Sequence, residues 1–293
     1  MGLDSTVPGD EGVPRSMICT PEAISPGMIR GFRDLVYHYY REQGRTFPWR
    51  ETTDPYRILV SEIMLQQTQT ERVIPKYLEF LDAYPDFPTL ARAQKRSVLA
   101  LWKGLGYNRR ALVLLEIAQK VMEDCSGRLP ASREELLSFP GIGPSTAGAI
   151  MAFAHNVPEV FIETNIRRVY IHVFFPGQEG IRDREILPLV DVTLDRDNPR
   201  QWYTALMDYG VMLRKRTDNP NRRSAHYARQ GAFEHSTRQI RGRILAALLE
   251  KSPREGDDLA RGIGADPRRV GEIITALETE GFITRRGKKI DLA

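Results

Sequence analysis

From Ser25 to Leu213 the apolar residues of this chain recur at intervals of three and four, segment after segment, and no run alternates long enough to build a sheet. A chain patterned this way must bury one stripe of many helices against one another, so the expected fold class is mainly α. Ser25-Pro26 supplies an N-cap and an N1 proline, after which Met28, Phe32, Leu35, Val36 and Tyr39 share one face. Asp54-Pro55 starts a second helix through about Gln67, and a third passes through Tyr77, Phe80 and Leu81. Residues 109–122 carry Leu112, Leu115, Ile117 and Val121, and Ser132 and Glu135 are spaced as a capping box. Helices over 144–153, 164–174, 184–194 and 199–213 complete the body.

The pattern changes near residue 214, where "RKRTDNPNRRSAHYARQ" is polar and basic. A compact unit follows. Ile240, Ile244, Leu245 and Leu248 predict one helix, "GDDLARGIGA" a second, residues 267–280 a third, and "GFITRRGKKIDL" a hairpin turning at Arg286-Gly287. That is the order of a winged helix, a helix-turn-helix variant whose third helix commonly enters the major groove. The expected division is a disordered tail over 1–22, a helical body over 23–213, a basic linker over 214–236 and a winged-helix-like domain over 237–293.

Composition narrows the partners. The chain has 42 Lys plus Arg against 38 Asp plus Glu, a formal net charge of +4, and a sequence pI of about 9.1. This balance permits nucleic-acid binding without requiring it. No apolar run approaches the roughly 18 residues of a membrane span, and "MGLDSTVPGDEGVPRSMICT" lacks the layout of a signal peptide. A cytoplasmic, nucleoid-associated monomer without a membrane partner is the expectation. Cys19 and Cys125 are the only cysteines, so neither a disulfide framework nor a cysteine metal site is expected.

Three stretches carry candidate chemistry. In "VFIETNIRRV", Glu163 stands at a helix start, where the unpaired N–H groups stabilise an acid whether or not it does chemistry. In "LVSEIMLQQTQ", Glu62 falls in line with Ile58, Leu59 and Leu65. Burial there would raise its pKa towards that of a working general acid, whereas a position at the stripe's edge would leave it in water. In "SFPGIGPSTAGAI", Gly141 and Gly143 flank one apolar residue before Pro144, Ser145 and Thr146 open a new helix. Outward N–H groups there suit a DNA phosphate, helped by a monovalent cation; an ordinary interhelical turn is the competing reading.

"FPWR", "DPYRILVSEIMLQQTQ", "LWKGLGYNRRA", "FPGIGPSTAGAI" and "ALMDYGVML", in this order and spacing, resemble the helix-hairpin-helix DNA glycosylases, most of all the MutY-type adenine branch, over about residues 25–215. The resemblance implies two helical lobes with DNA across the cleft, and hydrolysis of an N-glycosidic bond after the nucleotide is flipped out. It implies Glu62 as the catalytic acid and Glu163 as the carboxylate that stabilises the cationic sugar. Gln67 and Tyr107 match residues that wedge into the duplex, and Trp49, Arg50, Leu65 and Asp208 match positions lining the base pocket. Core packing is the alternative for Trp49 and Tyr107.

Four positions depart from that family. Glu163 stands where aspartate is usual, and Ser145 where bifunctional relatives carry a lysine nucleophile, so strand cleavage through a Schiff base is not expected. Arg214, Asn221 and Ser224 fall where the family's iron–sulfur cysteines stand, so no cluster is expected. The winged-helix-like unit replaces the family's reader of 8-oxoguanine. The basic stretch Arg214, Lys215, Arg216, Arg222 and Arg223 then reads as a DNA-backbone clamp or a solvated loop, and Arg285, Arg286, Lys288 and Lys289 as a phosphate-contacting wing or a soluble tip. The expected function is a monofunctional glycosylase on mismatched or damaged duplex DNA, with adenine as the base. Thymine or uracil excision from mismatches and non-catalytic DNA binding are the alternatives.

Overall fold

The Ser25 hydroxyl accepts the N–H of Met28 at 3.3 Å and Pro26 takes the first helical position, so that helix α1 runs Pro26–Gln43. It heads a computed structural model that describes residues 21–293 except 229, 230, 232 and 235. The expected tail therefore lies outside the described residues apart from its last two, which begin a 3-10 turn over Pro21–Ala23; Cys19 also lies outside them. The body continues with α2 (Pro55–Leu65), α3 (Thr70–Ala83), α4 (Phe87–Ala91), α5 (Lys95–Trp102), α6 (Arg109–Asp124), α7 (Arg133–Leu137), α8 (Pro144–His155), α9 (Thr164–Phe174), α10 (Asp183–Thr193) and α11 (Pro199–Arg216). The mainly α expectation holds. None of the helices among the described residues is long and apolar enough to cross a membrane.

The chain divides into two units that interleave along the sequence: Met1–Ile58, Ala131–Ser138 and Ile142–Arg229 in one, Leu59–Pro130, Phe139–Gly141 and Gln230–Ala293 in the other. In the first, Phe32 of α1 meets Tyr170, Phe174 and Trp202 edge-on, with ring centroids 5.6, 5.1 and 5.6 Å away. Such pairs add about 0.5–1.5 kcal/mol each beyond their buried area. Helices α9 and α11 approach closely at Gly210, where a β-carbon would lie 2.5 Å from the carbonyl oxygen of Asn165. Only glycine fits there.

Residues 214–224 are not a free linker. Arg214–Arg216 form the last turn of α11, and a 3-10 turn over Pro220–Arg223 packs on α9. Arg223 donates to the carbonyls of Ile171 (3.0 Å) and Phe175, closing the C-terminal end of α9, where a cation is favoured. Arg223 is thus taken from the expected clamp, whereas Arg214, Lys215, Arg216 and Arg222 remain exposed.

In the second unit, buried Trp102 and Phe80 pack edge-on at 6.1 Å. The C-terminal part forms α12 (Thr237–Glu250), β1 (Arg254–Glu255), α13 (Gly256–Ile263), α14 (Pro267–Thr279), β2 (Ile283–Arg286) and β3 (Lys289–Leu292). The hairpin turns at Gly287, with φ 60, and the sheet order is β1-β3-β2, all antiparallel. The two-residue β1 was not expected, because two residues carry no alternation. This part belongs to the same unit as α3–α6: Arg96 donates to Ser252 Oγ at 2.8 Å and to the Leu249 carbonyl at 2.9 Å, and Arg109 to the Glu280 carbonyl at 2.8 Å.

Candidate functional site

Glu163 is the N-cap of α9, with φ −124 and ψ 178, and its Oε1 accepts the N–H groups of Asn165 (2.7 Å) and Ile166 (2.8 Å). Asn165 Nδ2 donates to Oε2 at 3.2 Å, while its own Oδ1 accepts Arg168 Nη1 at 2.6 Å. Arg168 is buried and also reaches the Gly210 carbonyl (2.8 Å) and Asn219 Oδ1 (3.1 Å). The two arginines behind Glu163 therefore part company. Arg168 braces the amide that holds the carboxylate, and Arg167 pairs with Asp183 through two bonds of 2.7 Å. Burial raises the Glu163 carboxyl above the ordinary glutamate value, against the downward pull of the two N–H groups and of Arg168 and Arg167. Helix capping alone does not settle its charge.

The segment in the place of the family's cluster loop supports the same helix. Asn221 Nδ2 donates to the Thr164 carbonyl at 2.9 Å, and Ser224 Oγ accepts the His226 N–H at 3.1 Å. Arg214, Asn221 and Ser224 offer no thiolate, so this donor set does not fit an iron–sulfur cluster.

Asp208, the expected pocket residue on α11, is buried and bound on both oxygens. Arg50 gives it a bidentate pair of 2.9 Å bonds, and Arg45 adds its N–H at 2.9 Å and Nε at 2.8 Å. Burial alone would raise this carboxyl; the hydrogen bond and charge of Arg50, with those of Arg45, hold it below the usual carboxylate range. Trp49 is buried and stacks on Phe47 at 5.1 Å, with Arg45 and Arg50 over the Phe47 ring at 5.0 and 4.8 Å. "FPWR" thus locks a loop to α11. Asp208→Asn leaves two guanidiniums short of a counter-charge and is expected to cost about 3 kcal/mol at pH 7 by urea unfolding. Since the folded-state pKa is depressed, the difference is expected to shrink as pH falls through it.

In the other unit, Leu59, Val60, Ile63 and Met64 of α2 are buried while Glu62 and Leu65 keep part of their surface. Glu62 lies at the edge of the apolar stripe rather than within it. Beyond α2, exposed Gln67 and half-buried Tyr107 both adopt positive φ, 54 and 46, a conformation that costs a side-chain-bearing residue free energy and tends to persist where function requires it. Buried Arg110 holds both turns. Its Nη1 reaches the carbonyls of Ile63 (2.9 Å), Met64 (2.8 Å) and Gln66 (2.6 Å), and its Nη2 reaches Thr68 Oγ1 (2.9 Å) and the Gly106 carbonyl (3.0 Å). Burial lowers its guanidinium to about 10, which leaves it charged at neutral pH. Sequence reasoning missed Arg110, although it falls in line with buried Leu114, Ile117 and Val121, the signal that singled out Glu62.

The Gly-rich stretch turns at Gly141, with φ 71, and Gly143 is the N-cap of α8 with Pro144 at N1. Gly141 is exposed and Gly143 and Ser145 are half-buried, whereas the Thr146 side chain is buried.

Residues 60–197 match the family described as HhH-GPD superfamily base excision DNA repair protein, and residues 233–287 match the DprA winged helix domain. The chain is 36% identical over 187 residues to an adenine DNA glycosylase of Buchnera aphidicola subsp. Baizongia pistaciae, an alignment covering 62% of this chain and 52% of that one. It is 32% identical over 184 residues to a thymine-DNA glycosylase of Aeropyrum pernix, covering 62% and 77%. A solved thermostable thymine-DNA glycosylase superposes with a TM-score of 0.59 at 29% identity, covering 63% of this chain and 86% of that one. The chain spans about half the length of the Buchnera adenine DNA glycosylases it matches.

Proposed function

Since the chain belongs to the HhH-GPD superfamily of base excision DNA repair proteins, we propose that it is a monofunctional DNA glycosylase acting as a monomer on mismatched or damaged duplex DNA. Adenine opposite 8-oxoguanine or guanine is the proposed target, in keeping with the similarity to adenine DNA glycosylases. In this reading Glu62 gives its proton to the departing purine as the N-glycosidic bond breaks. The resulting carboxylate then takes a proton from the water that adds to the sugar carbon. Glu163 supplies the negative charge that the developing cation requires. The observation that carries the reading is the Glu163 carboxylate itself, held by three donors before any substrate arrives.

The other residues take supporting roles. Gln67 and Tyr107 enter the duplex, the Gly141 and Gly143 hairpin holds a phosphate with help from a monovalent cation, and Trp49, Arg50 and Leu65 line the base pocket. Asp208 serves that pocket by fixing Arg45 and Arg50. Ser145 offers no amine, which supports hydrolysis over strand cleavage. No iron–sulfur cluster is proposed.

A second reading is excision of thymine or uracil opposite guanine, favoured by the fuller coverage of thymine-DNA glycosylases, 77% and 68% of their lengths. Single-turnover excision on duplexes with A opposite 8-oxoguanine, A opposite G, T opposite G and U opposite G decides between them. Release of adenine is the expected result, and an intact base in both adenine duplexes overturns it. No excision on any of the four, with tight binding to an abasic-site duplex, would mark a binding protein.

A further inference from the structure

Tyr107 is held at both ends. Its backbone belongs to the turn that Arg110 gathers, through Nη2 to the Gly106 carbonyl (3.0 Å) and Nε to the Tyr107 carbonyl (3.4 Å), and Trp102 Nε1 adds a bond to the Gly106 carbonyl at 3.1 Å. Its phenol is held from the winged-helix-like part of the same unit. Arg238, in the first turn of α12, donates from Nη1 to the Tyr107 hydroxyl at 2.8 Å and lies over the ring at 5.8 Å. The second arm of Arg238 donates to the Gly231 carbonyl at 3.0 Å, and the guanidinium also stands 6.0 Å from the ring of Phe233, which is 60% exposed.

An exposed aromatic ring beside a guanidinium, next to a tyrosine in a strained turn, has the chemistry of a surface that stacks on bases and faces phosphates. The surroundings have the sign such a partner needs: Lys103 and Arg109 are exposed on either side of the turn, and Arg72 donates to the Gly104 carbonyl. Duplex DNA opened at a lesion supplies both the unstacked base and the anion.

We propose that Arg238 is a positioning residue for Tyr107, and that the winged-helix-like module contacts lesion-containing duplex DNA through a continuous Tyr107–Arg238–Phe233 surface. The inference rests on the reading of Tyr107 as a residue that enters the duplex. The module then acts on the duplex from within the same unit. A tyrosine ordered before binding gives up less side-chain freedom on insertion, and this gain is lost when its hydroxyl is released.

The test is a double-mutant cycle in the full chain, with Arg238→Ala, Tyr107→Phe and the pair, read by the dissociation constant for a duplex carrying an abasic-site analogue. Each single change is expected to weaken binding about fivefold, and the pair scarcely more than either alone, since both remove one interaction. Fluorescence of a 2-aminopurine beside the lesion at saturating protein reports the opening of the stack, which a purely structural arginine would not move; Arg238→Ala is expected to lower it. Phe233→Ala is expected to weaken binding without altering the thermal midpoint. Additive losses in the cycle, unchanged fluorescence, or binding unaffected by Arg238→Ala overturns the proposal. Excision is scored separately. Coupling between Arg238 and Tyr107 in a protein that excises nothing sustains this inference and defeats the glycosylase reading, and excision with additive losses does the reverse. A wild type that binds no duplex overturns both.

Discussion

Glu62→Gln is expected to lower the single-turnover rate of base release by about 10³-fold while leaving affinity for an abasic-site duplex within about twofold. Glutamine fills the same volume on α2 and keeps a hydrogen-bonding group there, but it has no acidic proton for a leaving purine. Glu62 is half-buried rather than enclosed, so the substitution leaves the apolar stripe of Leu59, Ile63 and Met64 intact and stability is expected to be unchanged. A variant that retains more than about a tenth of the wild-type rate would remove Glu62 from the chemistry.

Glu163→Gln carries the second large effect. Loss of the fixed negative charge is expected to reduce the rate by about 10²–10³-fold, in the range of losing one preorganised electrostatic contact. The amide oxygen still accepts the N–H groups of Asn165 and Ile166, so α9 keeps its cap. Stability moves the other way. The native state holds the Glu163 proton more tightly than the unfolded chain does, because burial raises its carboxyl above the ordinary value. Native stability therefore falls as pH rises from the ordinary glutamate range through the raised value, and stays lower above it. The Gln variant escapes that loss, so it is expected to melt at a higher temperature than wild type near pH 8 and at nearly the same temperature near pH 4. A wild-type rate that declines on the acid side above the ordinary glutamate range is the kinetic counterpart. A Gln variant whose deficit in stability against wild type is larger near pH 8 than near pH 4 would mean that Arg168 and Arg167 outweigh burial.

How much of this was legible in the sequence follows from the range of the forces involved. Helix starts at Ser25, Pro55 and Pro144 are local events, written in the capping residue and the proline beside it, and they stand where they were expected. Glu163 as a cap is local too. Its support is not: Arg168, Gly210, Asn219 and Asn221 meet around Asn165 only because α9 and α11 pack and the segment after α11 folds back. Nothing in the basic run after residue 213 distinguishes Arg223, which closes a helix end, from Arg222, which stays in water. The same holds for Arg45 and Arg238, whose partners lie 163 and 131 residues away. Arg110 was within reach, because an arginine in a line of buried aliphatic residues asks for a set of acceptors.

The interleaving of the two units sets a schedule for the growing chain. The first unit lacks its α1 partners until α9–α11 have been made, and the second has its α3–α6 helices early but waits for the final strand, Lys289–Leu292. Domains made from one continuous segment can close in turn as they leave the ribosome. Here neither can. The apolar face of α1 (Phe32, Leu35, Val36) stays uncovered until α9–α11 are made, and long-range closure of this kind slows folding. A nascent chain stalled after α6 therefore still lacks the partners of Phe32, Leu35 and Val36.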